Sequence, residues 1–262
     1  MSWYTGNVTY DTVLAIALVT ILPTALFSAF VAAPYGRFGW LERGGNVDPR
    51  LGWWLMELPA TVVFLVVFAS GSHRDSPVAL VFLGVWCVHY LNRGWLFPAS
   101  MRVPEGRRKS FSAVVVVSGW LVTAAHGYLN AAYFTEYGHY DVDWLTDPRF
   151  VLGMALYVTS LAGNVHADAV IRGLRPKDAD EASTTYRIPH GGLYRYVSCP
   201  NYLFELTAWC GFALATWSLG AVFVLGISLA NLVPRALATH AWYRRTFPDY
   251  PSERRALIPH VL

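Results

Sequence analysis

Charged residues are scarce in this chain, and lysine is almost missing from it. Only 14% of its 262 residues are charged, whereas 55% are apolar, and the mean hydropathy is +0.35. The cationic residues are nearly all arginine, with Lys109 and Lys177 as the exceptions. This composition lies outside the range of soluble domains and excludes an ordinary soluble enzyme. The arginine excess favours a bacterial source with a GC-rich genome.

Cysteine is rare, and the common nucleotide-binding motifs are missing. Cys87, Cys199 and Cys210 have neither metal nor disulfide spacing, so they are predicted to be apolar filler and no metal site is expected. No Gly-x-Gly-x-x-Gly and no P-loop occurs, which excludes nucleotide binding of the Rossmann or Walker kind. The N-terminus lacks a basic region, so no cleaved signal peptide is expected. The net charge of +3 gives no indication of nucleic-acid binding.

Long apolar runs are what the chain has in abundance. A hydrocarbon layer about 30 Å thick needs roughly 20 apolar residues per helix. Seven stretches reach or approach that length: 10–33, 52–70, 77–98, 111–134, 148–168, 201–218 and 219–242. The last two are separated by a tight turn near Ser218–Gly220. The sequence therefore predicts an all-α, polytopic membrane protein with seven transmembrane helices in a single domain, residues 1–262.

Basic residues alternate between the connections, and this alternation predicts the orientation. Apart from Arg93 and Arg149, which lie in or at the edge of spans, 17 arginines and lysines fall in one set of connections and 1, Arg74, in the other. The positive-inside rule then places the N-terminus outside and the C-terminus in the cytosol. We expect a monomer, surrounded by membrane lipids, in a bacterial inner membrane or, in a eukaryote, the endoplasmic reticulum.

Ionisable groups inside the spans are candidate functional residues. A charged group at mid-membrane costs roughly 3 kcal/mol or more, so those that are present usually serve a site. Glu57 lies several residues into an uncharged span, where burial favours the neutral acid, a hydrogen-bond donor suited to a developing oxyanion. Pro59 frees a backbone carbonyl nearby and indicates a local kink. Alternatively, Glu57 extends to the membrane interface or pairs with a cytosolic arginine. Tyr90, in the third span, is a second candidate, although a lone tyrosine in a span is usually a packing residue.

More polar residues lie at the cytosolic ends of the last three spans. Asn164, Asp168 and Arg172 are spaced by four residues and Arg175 follows by three, so they share one helix face. Guanidinium forks match phosphate oxygens, which favours a nucleotide or polyphosphate site, although an ordinary Asp168–Arg172 salt bridge is the alternative. Similar residues recur at the ends of spans six and seven: Asn201, Glu205, Arg235, His240 and Tyr243. We expect these ends to converge on one cytosolic pocket.

Seven short segments carry a resemblance to a known family. They are Ala-Pro-Tyr-Gly-Arg (33–37), Glu-Leu-Pro (57–59), Cys-Val-His-Tyr (87–90), Trp-Leu-Thr-Asp-Pro-Arg-Phe (144–150), Tyr-Arg-Ile-Pro-x-Gly-Gly-Leu (186–193), Ala-Leu-Ala-Thr-Trp-Ser (213–218) and Arg-Ala-Leu-Ile-Pro (255–259). In these segments the chain resembles the steroid 5α-reductase family, the NADPH-dependent 3-oxo-5α-steroid 4-dehydrogenases. Met56 departs from the family's frequent Gln-Glu-Leu-Pro, Thr239 aligns with a family His, and 99–109 does not match an Asn-Arg-Gly-Arg pattern.

The resemblance implies a membrane enzyme that reduces the C4–C5 double bond of a 3-oxo-Δ4 steroid, or of a related lipid, entering from the bilayer. It places the substrate cavity mainly within 1–134 and the NADPH-binding part mainly within 144–262. Glu57 and Tyr90 would polarise the 3-oxo group. Trp53, Met56 and Arg93 are assigned to the substrate pocket. The residues expected around NADPH, from the resemblance or the polar pattern, are Tyr35, Asn164, Asp168, Arg172, Arg175, Arg187, Asn201, Glu205, Arg235, His240, Tyr243 and Arg254.

Three other functions fit parts of the pattern. Another reductase of the same broad superfamily would act on a different lipid enone or enoyl group. A membrane methyltransferase of the isoprenylcysteine type has a similar polar pattern around Pro-Asn-Tyr and Glu, but would consume S-adenosylmethionine. A transporter would use Glu57 and Arg93 as a pathway, which leaves the polar ends of spans five to seven without a role.

Overall fold

The computed structural model describes residues 4–31, 35–38, 45–103, 109–175 and 186–262, most of which are helical. The α-helices are α1 (Val8–Phe30), α2 (Pro49–Ser70), α3 (Pro77–Tyr90), α4 (Phe97–Ser100), α5 (Ala113–Ala132), α6 (Pro148–Gly173), α7 (Pro200–Thr216) and α8 (Leu219–Thr246). A π-helical turn, Leu91–Leu96, joins α3 to α4, and another, Tyr133–Tyr137, extends α5. Strands β1 (Asn46–Val47) and β2 (Phe111–Ser112) pair antiparallel, with Val47 opposite Phe111.

Three of the long helices begin with a capping side chain followed by proline. The pairs are Asp48–Pro49, Ser76–Pro77 and Asp147–Pro148, at the starts of α2, α3 and α6. The capping oxygen accepts a hydrogen bond from an otherwise unpaired amide, and proline fits the first turn because no amide hydrogen is needed there. Between α7 and α8 the chain turns within Trp217 and Ser218, with Trp217 in the left-handed region at a φ of 49°. The predicted tight turn is confirmed.

Within the described residues, five helices are long and apolar enough to cross a membrane: α1, α2, α5 with its π turn, α6 and α8. They support the predicted polytopic membrane protein. Helix α3 has 14 residues but continues through the π turn into α4, and α7 has 17 residues. The seven-span count and the orientation stay predictions. Four cations counted for that orientation lie outside the described residues: Arg43, Arg107, Arg108 and Lys177.

The helices pack mainly in pairs, α6 against α7, α2 against α5 and α1 against α8. The α6–α7 contact is close because glycines face each other: a Cβ added to Gly153 would lie 2.6 Å from the Gly211 carbonyl oxygen. Small residues at a helix crossing allow such an approach in membranes. The core is rich in aromatic rings, with Phe64 stacked on Trp86 at 4.5 Å between α2 and α3.

Pro59 leaves a backbone carbonyl of α2 without an amide partner, as predicted. Proline has no amide hydrogen to offer the carbonyl of Leu55, one turn earlier. That carbonyl instead accepts a hydrogen bond of 2.6 Å from Nε1 of Trp120 on α5. Thr123 on α5 donates to the neighbouring Met56 carbonyl at 3.0 Å. The two contacts fix this part of α2 against α5, next to Glu57.

Candidate active site

A cavity of about 270 Å³ lies between the start of α2, α4, the end of α6, the start of α7 and α8. Its lining in the described part of the chain includes six arginines: Arg37, Arg93, Arg102, Arg172, Arg175 and Arg235. Asp168 is the one carboxylate among the described lining residues. Such an excess of guanidinium groups attracts anions, and the planar forks match phosphate oxygens. The described ends of α6, α7 and α8 thus converge on one pocket, as expected.

The arginines from the end of α6 hydrogen-bond to neutral groups. Arg172 Nη1 donates to the Ser100 hydroxyl at 3.0 Å, whereas the hydrogen bonds of Asp168 go elsewhere, so these two residues do not form the simple helix-end pair that was the alternative. Arg175 donates to the Arg102 carbonyl at 2.5 Å, and Arg102 donates back to the Arg175 carbonyl. These contacts connect α6 to the segment after α4.

Aromatic rings hold two further arginines of the cavity. Arg37 lies 4.5 Å from the ring centroid of Trp242 and donates to the Tyr243 hydroxyl at 3.2 Å. Its Nη1 is buried and has no hydrogen-bond partner among the described residues. Arg235 lies 3.7 Å from the ring centroid of Tyr35 and donates to the Tyr35 carbonyl at 3.0 Å. Cation–π contacts of this kind hold guanidinium groups without neutralising them.

Cys199, just before α7, also lines this cavity. Burial raises the pKa of its thiol to about 12, so the thiol is neutral near pH 7. A neutral buried thiol is a poor nucleophile and a poor metal ligand. The prediction that the cysteines are filler therefore agrees with the surroundings of Cys199.

Arg93 is the cation of a buried ion-pair network. Its Nη1 lies 2.8 Å from Oδ2 of Asp168, and its Nε lies 3.3 Å from Oε2 of Glu205. The three side chains are only 14%, 9% and 11% exposed. Asn201 donates to Asp168 at 3.2 Å and Asn164 donates to Glu205 at 3.1 Å. Because both carboxylates have a cation and an amide donor, the cost of burying their charges is offset.

The π-helical turn gives Arg93 its position. In this turn an amide bonds to the carbonyl five residues earlier, as Phe97 does to Asn92, so Pro98 leaves the Arg93 carbonyl without an amide partner. Trp53 Nε1 of α2 donates to that carbonyl at 3.0 Å. The Arg93 backbone is thus tied to α2, while its side chain reaches α6 and α7.

The polar groups of four helices form two layers. The outer layer lines the cavity and consists of Trp53, Arg93, Asp168 and Asn201. The inner layer, three or four residues along the same helices, consists of Glu57, Tyr90, Asn164 and Glu205. That spacing corresponds to a rise of about 5–6 Å. Arg93 contacts carboxylates of both layers, so it joins the cavity to the groups beneath it.

Glu57 and Tyr90 both lie close to Gly94. A Cβ added to Gly94 would lie 3.4 Å from Glu57 Cβ and 3.8 Å from Tyr90 Cδ1. Tyr90 is 3% exposed and packs on Trp86, with ring centroids 4.8 Å apart. Glu57 is partly exposed and makes no hydrogen bond with the described residues, and the Tyr90 hydroxyl has one polar neighbour, His126. A carbonyl that reached both side chains could therefore accept a hydrogen bond from each.

Four predicted site residues belong neither to the cavity lining nor to the inner layer. Met56 packs against α5, and Arg187 is exposed. His240 Nδ1 lies 2.6 Å from the Ser198 hydroxyl. Arg254 donates to the Pro189 carbonyl at 3.0 Å. The Arg254 contact ties the C-terminal segment to the chain before α7, and the roles predicted for all four residues stay predictions.

Two lining arginines, Arg37 and Arg102, were not predicted as site residues. Arg37 belongs to segment 33–37, which carries part of the family resemblance, so that segment could have identified it as a site residue. Arg102 lies in the segment that departs from the family pattern, and its place depends on a contact with Arg175, 73 residues away.

Comparison with known proteins gives the family of the chain. The family model described as 3-oxo-5-alpha-steroid 4-dehydrogenase matches residues 109–262. The 3-oxo-5-alpha-steroid 4-dehydrogenase 1 of Rattus norvegicus is 37% identical over 235 residues, 88% of this chain and 87% of the relative. The chain belongs to the steroid 5α-reductase family. Another relative, the steroid 5-alpha-reductase DET2 of Solanum lycopersicum, is 32% identical over 93% of each chain. The resemblance is thus confirmed, and with it the oxidoreductase class.

Removing the charge of Arg93 should destabilise this reductase more than removing an exposed charge. Arg93→Gln removes the guanidinium that Asp168 and Glu205 share in a buried site, and breaking a buried pair in this way costs about 3–5 kcal/mol. The control Arg74→Gln breaks a contact with Asp75 whose side chains are 52% and 92% exposed. Such exposed pairs contribute about 0–1 kcal/mol. Thermal unfolding in detergent should show a lower midpoint for Arg93→Gln alone, and equal midpoints would contradict the buried network.

Proposed function

We propose that this protein reduces the C4–C5 double bond of 3-oxo-Δ4 steroids to 5α-dihydrosteroids with NADPH. The proposal is carried by one observation: Glu57 and Tyr90, which both lie close to Gly94, are about one helical turn from Trp53 and Arg93 in the lining of a cavity with six arginines. The names of the relatives, which are 3-oxo-5-alpha-steroid 4-dehydrogenases and steroid 5-alpha-reductases, agree with it. The apolar helices suit a substrate that enters from the bilayer.

The charge of the cavity fits NADPH, which carries a pyrophosphate and a further phosphate. Arg37 has a buried Nη1 without a hydrogen-bond partner among the described residues, and Arg172 gives its one hydrogen bond to a neutral hydroxyl. Both can therefore receive phosphate oxygens. Tyr35, Asn201 and Tyr243 add hydrogen-bonding groups and rings to the same wall. By contrast, the sulfonium of S-adenosylmethionine is a cation, so this lining disfavours a methyltransferase.

The charge balance of the inner layer favours a neutral Glu57. Three carboxyl groups, those of Glu57, Asp168 and Glu205, interact with the single guanidinium of Arg93. Asp168 and Glu205 hold ion pairs with it, and His89 lies 3.4 Å from Glu205, so a charged Glu57 would have no ion pair of its own among the described residues. The neutral acid keeps an O–H that can donate. Glu57 is then a second donor beside the Tyr90 hydroxyl.

The proposed chemistry uses both donors on the substrate carbonyl. When bound, NADPH supplies the hydride that adds to C5. Negative charge then develops on the 3-oxo oxygen, and hydrogen bonds from Tyr90 and Glu57 stabilise it most strongly in a site that excludes water. The ring of Trp86 under Tyr90 keeps this region apolar. A proton reaches C4 from water or a relay, which completes the addition of hydrogen across the double bond.

Tyr90→Phe should lower turnover about 100-fold, because one donor to the developing oxyanion is lost. Glu57→Gln should lower it at least about tenfold, because an amide is a weaker donor than an acid. The dissociation constant for NADPH should change little in either variant. Steady-state NADPH oxidation with progesterone or testosterone and a separate titration of NADPH binding measure these quantities.

Tyr128→Phe is the matched control for the loss of a hydroxyl. Tyr128 is partly buried on α5 and packs near Tyr10, with ring centroids 6.0 Å apart. The turnover of the Tyr128→Phe variant should match that of the wild type. Normal turnover in Tyr90→Phe or Glu57→Gln would remove that residue from the mechanism.

Arg172→Gln should weaken NADPH binding about 10- to 100-fold, the loss expected for one hydrogen bond to a charged group. Turnover at saturating NADPH should stay near the wild-type value, since Arg172 is far from the reacting carbonyl in this mechanism. Arg245→Gln is the control because Arg245 is exposed and outside the cavity lining. An unchanged KM for NADPH in Arg172→Gln would contradict a cofactor role of this arginine.

A further inference from the structure

One buried polar side chain beside Tyr90 has no role in the proposed function. His126 on α5 is 7% exposed, and its Nδ1 lies 3.5 Å from the Tyr90 hydroxyl oxygen. Its Nε2 is buried and has no hydrogen-bond partner among the described residues. The ring of Phe223 on α8 meets the imidazole at 5.2 Å in a T-shaped contact. A buried histidine with one polar neighbour needs a physical reason.

We propose that His126 is a positioning residue for Tyr90. Its Nδ1–H donates to the Tyr90 oxygen, so that the phenolic hydrogen points to the substrate carbonyl. This inference rests on the proposed function, because it assigns how the donor at that same site is oriented.

The hydrogen-bonding capacity of the two groups supports this arrangement. A neutral imidazole donates through one nitrogen and accepts through the other, and a phenol can donate one hydrogen bond while it accepts another. If His126 accepted from Tyr90, the phenolic hydrogen would point away from the substrate. With the hydrogen on Nδ1, the two side chains and the carbonyl form a chain in which every hydrogen bond runs toward the carbonyl oxygen.

Packing holds both rings in place for this contact. Tyr90 lies on Trp86, and the imidazole of His126 abuts Phe223. No other polar group of the described residues lies within hydrogen-bond distance of the Tyr90 hydroxyl. The present separation is long, but hydrogen bonds between catalytic groups commonly shorten when the substrate binds.

The effect should appear in the transition state. As the carbonyl oxygen gains negative charge, it draws the phenolic hydrogen, and the Tyr90 oxygen becomes a better acceptor for His126. Hydrogen bonds in such a chain strengthen one another. An interaction that strengthens only in the transition state raises kcat and leaves substrate binding nearly unchanged.

The test compares two substitutions of His126 in the full-length protein. His126→Leu removes the donor, whereas His126→Asn keeps an N–H near the position of Nδ1. We expect kcat to fall about tenfold or more in His126→Leu, with the steroid KM within about threefold, and to recover to within about threefold in His126→Asn. NADPH affinity and thermal midpoints, measured in parallel, show whether each variant is folded.

A double-mutant cycle with Tyr90→Phe separates positioning from a general loss of structure. If His126 acts through Tyr90, His126→Leu should cause no further loss of kcat in the Tyr90→Phe background. The inference is overturned if His126→Leu keeps kcat within about twofold of the wild type, raises KM alone, or lowers kcat by the same factor in both backgrounds. A wild-type protein that leaves NADPH unoxidised with every 3-oxo-Δ4 steroid overturns the proposed function, and this inference with it.

Discussion

The burial of one guanidinium group, that of Arg93, constrains the whole site. A cation in this position needs carboxylates nearby, and Asp168 of α6 and Glu205 of α7 supply them at 2.8 and 3.3 Å. The ends of α6 and α7 must therefore face the π-helical turn after α3. The glycine contact between α6 and α7 allows both carboxylates to reach the same guanidinium. Helix α2 completes the arrangement because Trp53 donates to the Arg93 carbonyl.

This network also separates two kinds of environment. On its outer side the cavity has an excess of arginine and suits phosphate groups. On its inner side Tyr90 packs on the ring of Trp86, and Glu57 lies near Tyr90 at Gly94. In the proposed function, a dinucleotide in the cavity and a lipid ketone at the inner layer would meet at the level of Arg93. Neither a methyltransferase nor a transporter requires this succession of an anion site and an acid–phenol pair.

Much of this arrangement could be predicted from the sequence, because hydropathy and helical spacing depend on local residues. The apolar helices, the turn at Ser218, the backbone carbonyl freed by Pro59 and the shared face of Asn164 and Asp168 are of this kind. The π turn that positions the Arg93 side chain could not be predicted, since it depends on how α2 and α3 pack.

Contacts between distant residues were the least predictable. Asp168 pairs with Arg93, 75 residues away, whereas helical spacing alone had suggested Arg172 as its ion-pair partner. His126 lies 36 residues from Tyr90, and no motif connects them. Arg187 and Arg254 were predicted from the resemblance and His240 from the polar pattern, and their side chains do not line the cavity. A resemblance assigns expected roles to positions in the chain, but packing decides where each side chain points.

The most direct test of the central claim is to follow the hydrogen that the cofactor gives up. The purified protein would reduce progesterone with NADPH deuterated at the nicotinamide C4, and NMR would locate the deuterium in the product. If the cavity binds NADPH while Glu57 and Tyr90 hold the 3-oxo group of the steroid, deuterium appears at C5 on the α face, and C4 gains a solvent hydrogen. Deuterium at C4, a 5β product, or reduction without deuterium transfer would contradict it.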